Sequence, residues 1–392
     1  MKISKLISES IESKFAKIAR EMNKKNIKII SLGLGEPKFQ TPKKIVDAAY
    51  KSLKNGDTRY SDSRGIFELR KNISEDYKKN KQLNINPDNI IITNGSKMAL
   101  SLTLTALLKS KDELILIRPC YPSYLPQVLL AEPNVKIIEV NCNKNNYDLD
   151  LDEIEKRINL KTRALILNYP SNPTGNIFAT NKIKKIFKLQ EKYDFWIIID
   201  EVYNKLVFKK NKSKLEANQK IYKHDKLVLI NGFSKTYSMT GWRAGYLYCE
   251  NNELLQKINK IHQNINTNVP VFIQKACIKA LTMNQSFLIK EIKLIDLNYQ
   301  YLKLNLNKSS IKHSPMSGGL FCFINISKTN MPSDDFATNL LNKYSIAVTP
   351  GFFFGQLWDD HIRVCLSIDK IQFKKGLQGI LELYSKICNK NE

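Results

Sequence analysis

Seven short runs in this chain are almost wholly apolar and rich in β-branched residues: "NIIIT" (89–93), "ELILI" (113–117), "VKIIEV" (135–140), "RALILN" (163–168), "FWIIID" (195–200), "KLVLIN" (226–231) and "AGYLYC" (244–249). Several lack the polar alternation of a strand with one wet face, so they suit strands covered on both sides. Helix-like stretches separate them, such as "SKMALSLTLTALLKS" (96–110) and "ATNKIKKIFKLQEKYD" (179–194). Strand and helix in alternation predict an α/β fold, a mostly parallel sheet with helices on both faces. After about residue 290 the texture changes to long polar helical segments around "GLFCFINIS" (319–327), which predicts a second, smaller α+β domain.

The chain has 392 residues, enough for two domains, and its 43% hydrophobic content fits a substantial core. Its net charge of +25 invites a nucleic-acid reading. Only nine of the 62 basic residues are arginine, however, and the lysines are spread along the whole chain. A nucleic-acid site would gather arginine into a patch interleaved with aromatics, so we read the charge as a composition bias with no specific nucleic-acid partner. The seven cysteines (Cys120, Cys142, Cys249, Cys277, Cys322, Cys365 and Cys388) form no C-x-x-C pair. That pattern suggests free thiols in a reducing cytoplasm, with neither a disulfide framework nor a metal site. The start of the chain, "MKISKLISESIESKFAKIAREM", is amphipathic and lacks a signal peptide's apolar core, and no run approaches the ~20 apolar residues of a membrane span.

The ends of the strand-like runs carry the chemistry. "IIIT" leads into Asn94-Gly95-Ser96-Lys97 and a helix, and "ALILN" into "YPSNPTG". "WIIID" ends at Asp200, with Glu201 and Tyr203 behind it, and "LVLIN" leads into "GFSK". Ligands of open α/β sheets sit outside the carboxyl ends of the strands, so four polar clusters at four such ends are expected to converge. Gly95-Ser96 opening a helix is an anion-sized site, although a simple turn cap reads the same way. Ser234 and Arg243 would add a hydroxyl and a forked cation to a phosphate cup. Asp200 follows three isoleucines, so an ionised carboxylate there wants a cation, unless it is a helix cap. Lys235 could form a Schiff base if neighbouring cations and a low dielectric depress its pKa. Amine, buried carboxylate and phosphate cup together describe pyridoxal 5′-phosphate.

"YPSNPTG" (169–175), "IIDEVY" (198–203) and "SKTYSMTGWRAGY" (234–246), in that order, resemble the fold-type I pyridoxal-phosphate enzymes, and most closely the class I/II aminotransferases of the bacterial aspartate aminotransferase kind. The resemblance runs from "LGLGEPKF" (32–39) to "HIRVCLS" (361–367). It implies a large cofactor domain (43–290), a small domain built from residues 1–42 and 291–392, and a homodimer. Lys235 matches the lysine of the internal aldimine and Asp200 the partner of the ring nitrogen. Tyr203 and Asn172 match the pair on the phenolic oxygen, and Tyr121 the aromatic stacked on the ring. Gly95, Ser96, Lys97, Ser234 and Arg243 match the phosphate cup. Tyr60 matches a tyrosine that reaches the neighbouring subunit's phosphate. Arg363 matches the clamp on the substrate α-carboxylate, assisted by the backbone of Gly35.

Two departures bear on the substrate. Lys38 stands in "GEPKF" where an acid is usual, and "QNINTNVPVF" (263–272) lacks the arginine with which one subgroup binds a side-chain carboxylate. Lys97 stands where another subgroup places a lysine for that purpose, so the resemblance implies an acidic substrate such as aspartate or glutamate, unless that lysine is simply solvated. Lyases, decarboxylases and amino-acid oxidases share the scaffold and remain alternatives to transamination at this stage.

Overall fold

The computed structural model describes residues 28–222 and 225–391; the amphipathic opening segment (1–22) lies outside them. In chain order the strands are β1 (Ile30–Ser31), β2 (Ile90–Thr93), β3 (Glu113–Arg118), β4 (Lys136–Asn141), β5 (Thr162–Asn168), β6 (Trp196–Asp200), β7 (Leu227–Gly232), β8 (Gly245–Cys249), β9 (Phe321–Asn325), β10 (Ile346–Ala347), β11 (Thr349–Pro350) and β12 (His361–Cys365). All seven apolar runs are strands of one sheet, ordered β2-β8-β7-β6-β5-β3-β4. β8 runs antiparallel to the other six strands, which are parallel to one another.

β2, β3, β7 and β8 are buried along their whole length, as apolar runs without alternation require. Edge strand β4 differs, since it exposes Lys136 and Glu139. Charged side chains on an edge discourage pairing with another sheet. Separate hydrophobic clusters cover the two faces of the sheet, one centred on residues such as Ile197 and Tyr246 and the other on Leu116 and Ile198.

The register aligns the ends that matter. Asn168 pairs with Asp200 and Asp200 with Ile230, so β5, β6 and β7 finish together. Gly245, at the start of β8, pairs with both Gly232 and Thr93, which brings the end of β2 to the same edge.

A second core surrounds the three-stranded sheet β11-β12-β9. β1 pairs in parallel with β10, tying the early chain to its late part. The helix Ser286–Lys308 runs through residue 290, so the change of texture there falls inside one continuous helix. Val202, Tyr203, Leu206 and Phe208, which follow β6, pack into this second core, where the Tyr203 ring meets Phe321 of β9 edge to face. No described helix is long and apolar enough to cross a membrane.

Candidate active site

At the aligned strand ends lies a cavity of about 500 Å³. Asp200, the last residue of β6, accepts a hydrogen bond from the Tyr124 hydroxyl at 2.7 Å and from the Val202 N–H at 3.2 Å. Burial pushes its carboxyl up to about 6, against the pull of Tyr124. Among the described residues no cation pairs with it, which leaves a carboxylate positioned for a cationic ligand atom.

Lys235, beyond β7, donates to the Gly35 carbonyl at 2.7 Å. Burial lowers its pKa, and the nearby positive charge of Arg363 lowers it further. An amine in that state gives up its proton more readily than a surface lysine, as both a nucleophile and a base require.

The floor is set by close backbone approach. Gly95, at φ +83°, precedes the helix Ser96–Leu107, whose first turn has no acidic residue and no side-chain cap. A Cβ on Gly95 would stand 2.5 Å from Arg243 Nη2, and one on Gly245 would stand 2.4 Å from the Ser96 nitrogen. Only glycine at both positions lets the Arg243 guanidinium lie against this helix start. Arg243 itself holds a left-handed φ of +55°, a strained conformation for a residue with a side chain. Its Nη1 donates to the Thr240 carbonyl at 2.9 Å. Uncapped N–H groups, the Ser234 hydroxyl and a guanidinium form a cradle for a phosphate-sized anion.

Arg363 reaches the cavity from β12 and is only 7% exposed. Its Nη1 donates to Asn172 Oδ1 at 2.9 Å and its Nη2 to the Gly33 carbonyl at 2.7 Å, while Nε has no partner. Phe321 packs 4.0 Å beneath the guanidinium. Asn172 is aligned in turn by its N–H, which donates to Asn168 Oδ1 at 2.7 Å. Tyr203 is buried against Phe321, and the desolvation of its phenol raises its pKa.

Of the residues singled out in the sequence, Gly35, Ser96, Lys97, Tyr121, Asn172, Asp200, Tyr203, Ser234, Lys235, Arg243 and Arg363 line this one cavity. Gly95 lies directly behind Ser96 and Arg243. Tyr60 does not line it and is 87% exposed. Sequence reasoning missed Tyr124, Asn168 and the Glu36–Thr240 hydrogen bond at the rim. Asn168 had a readable signal, a lone polar residue closing an apolar strand in register with Asp200. Tyr124 had only its spacing of three from Tyr121 at a helix start, and their rings meet edge to face at 5.5 Å.

The donor set fits pyridoxal 5′-phosphate. The anion cradle, the buried carboxylate without a cation and the amine of lowered pKa line the same space, and each suits one part of the cofactor.

Residues 27–380 match the family described as aminotransferase class I and II. A (5-formylfuran-3-yl)methyl phosphate transaminase of Methanocaldococcus jannaschii is 36% identical over 373 residues, covering 94% of this chain and 95% of the relative. An aspartate aminotransferase of Thermotoga maritima is 34% identical over 360 residues, 90% of this chain and 92% of the relative. In the solved structures, an aspartate aminotransferase from Thermotoga maritima superposes with a TM-score of 0.89 at 30% identity, covering 97% of this chain and 99% of that one.

Proposed function

The chain belongs to the class I and II aminotransferases, pyridoxal-phosphate enzymes of fold-type I, and from that premise we propose that it exchanges an amino group between an acidic L-amino acid and a 2-oxo acid. Its relatives act on unlike molecules by name, aspartate in one case and a furanylmethyl phosphate in another, so the substrate has to be argued from the cavity. The observation that carries the acidic reading is the charge of the lining. Lys97, Lys235, Arg243 and Arg363 outnumber Asp200 and Glu36. A bound phosphate would engage Arg243, and a substrate α-carboxylate Arg363. Lys97, 6.0 Å from the Tyr121 ring centroid, is then left for a second carboxylate.

The bound cofactor supplies an aldehyde to carry the amino group and a ring that withdraws electrons from the substrate. The chain's residues do the rest. Ser96, Lys97, Ser234 and Arg243 hold the phosphate, and Asp200 holds the ring nitrogen in its protonated form. Asn172 and Tyr203 hold the phenolic oxygen, while Tyr121 covers the ring. Arg363 fixes the α-carboxylate and so orients the Cα–H bond, with the Gly35 backbone beside it. Lys235 would hold the cofactor through its amine, and that amine, once free, would take the proton from the substrate Cα and return it at the other end of the transfer.

The finer organisation is part of the same reading: a cytoplasmic homodimer in which the exposed Tyr60 reaches the partner's site, with residues 43–290 as the large domain. Anaerobic addition of single L-amino acids to the loaded enzyme tests the reaction and its substrate. Glutamate or aspartate should leave one equivalent of 2-oxo acid and an aminated cofactor per site, at far lower concentration than alanine or lysine. Release of ammonia or carbon dioxide in place of the 2-oxo acid would defeat the transaminase reading. Preference for a neutral or basic donor would defeat only the acidic one.

A further inference from the structure

Behind the active site lies a second and larger cavity of about 630 Å³. The last residue of β6 and the residue after it are two carboxylates of opposite fate. Asp200 serves the first cavity, whereas Glu201 is fully buried and accepts from Lys81 at 2.7 Å. Lys81 forms part of the wall of the second cavity. A second ion pair, Lys205–Asp76 at 2.5 Å, also lines it, and Lys205 donates to the Tyr237 hydroxyl at 3.2 Å. The new cavity thus touches, through one partner each, the residue after Asp200 and the residue two positions beyond Lys235.

Its walls differ in kind. Leu281, Leu288, Ile289 and Ile292 form an apolar side, with Ile289 70% exposed. The polar side carries Lys79, Lys212 and Glu216, none of which has an ion-pair partner among the described residues. Between the sides sits Asn204, 8% exposed, whose Nδ2 donates to nothing. A buried donor without a partner is uncommon in folded proteins and marks a place where a ligand acceptor fits. Lys81 is neutralised by Glu201, Lys205 by Asp76 and Glu75 by Lys71, which leaves Lys79 and Lys212 against Glu216, an excess of one positive charge. A dianionic phosphate would meet three carboxylates there. A single carboxylate on an apolar body matches both the charge and the walls, and the volume is that of a small-molecule site.

We propose that this cavity binds a monocarboxylate with a branched or aromatic apolar body, its carboxylate on Asn204 and Lys212 and its body against Leu288 and Ile289. Two unreactive probes separate the sources of that chemistry. α-Methylleucine represents an amino acid and has no Cα hydrogen to lose, while 4-methylpentanoate represents a free carboxylic acid. Calorimetric titration of the cofactor-loaded enzyme should show saturable binding of at least one probe with no change in the cofactor's visible absorbance, which would report entry to the active site. Ile289→Trp, which fills the groove from an exposed position, and Lys212→Ala should each weaken that binding by about 10-fold or more. Binding of α-methylleucine alone would assign an amino acid, and binding of 4-methylpentanoate a free acid. Absence of binding, binding unmoved by both substitutions, or binding seen only together with an absorbance change would overturn the proposal.

Discussion

Asp200 and Glu201 are consecutive carboxylates, yet Asp200 rests on a phenol, Tyr124 at 2.7 Å, and Glu201 on an ammonium, Lys81 at 2.7 Å. One is left for a ligand's positive charge and the other is neutralised within the protein. That difference sets two predictions.

Asp200 titrates at about 6 in the folded protein without cofactor, above the ordinary range near 3.9. The folded state therefore binds this proton more tightly than the unfolded chain, and its contribution to stability is complete below about pH 4 and lost as pH rises through about 6. Asp200→Asn keeps an oxygen for Tyr124 and removes the charge. It should stabilise the cofactor-free protein by about 1–2 kcal/mol at pH 8, allowing for partial solvent access, and by nothing at pH 4. Denaturant titration at the two pH values measures this, and a less stable variant at pH 8 would refute it. In the loaded enzyme the same change should slow loss of the Cα proton.

Glu201 has three donors: Lys81, Gln219 Nε2 at 2.9 Å and the Tyr77 hydroxyl at 3.0 Å. Lys81→Met strips a fully buried carboxylate of its counter-charge and should cost about 3–5 kcal/mol. Adding Glu201→Gln to that variant should recover a large part of the loss, because no buried charge remains. If the two costs simply add, the pair is not coupled as its geometry indicates.

Much of this arrangement was legible in the sequence, for identifiable reasons. Most of the seven sheet strands were readable because strands covered on both faces must be apolar throughout, whereas edge strand β4 keeps exposed Lys136 and Glu139. Lys235, Asp200 and Arg243 were singled out because strand ends in an open α/β sheet face one edge, and Asn172 through the family resemblance; the register of Gly245 with Gly232 and Thr93 does bring those strand ends to one edge. The two-residue strands β1, β10 and β11 carry too little pattern to see. Nor does local sequence tell that Tyr124 meets Asp200, 76 residues later. That contact depends on how the helix Tyr124–Ala131 packs over the sheet.

Arg363 ties three parts of the chain together through Asn172, Gly33 and Thr349, the last at 3.1 Å. Lysine keeps the charge but not the planar fork, so Arg363→Lys leaves some of these acceptors without a donor and ends two-point binding of a carboxylate. We expect kcat/KM to fall by about 100-fold, roughly 3 kcal/mol, mostly through KM. Cofactor affinity, which Arg363 does not serve directly, should stay within a few-fold. An unchanged KM would place the α-carboxylate elsewhere.

Lys97 has two separable duties on the proposed reading, because its backbone N–H belongs to the phosphate cradle and its ammonium to the substrate. Lys97→Met preserves the first and deletes the second. Met is a good helix former at a helix start, so the cradle should persist and cofactor affinity should hold. The ratio of kcat/KM for glutamate over alanine should drop by about 10-fold or more, the value of one charge-assisted hydrogen bond, with alanine itself little changed. The drop should appear in the glutamate figure alone. If both substrates lose equally, the ammonium holds the ring region and not the distal carboxylate. If neither changes, Lys97 is a solvated side chain and another group must choose the substrate.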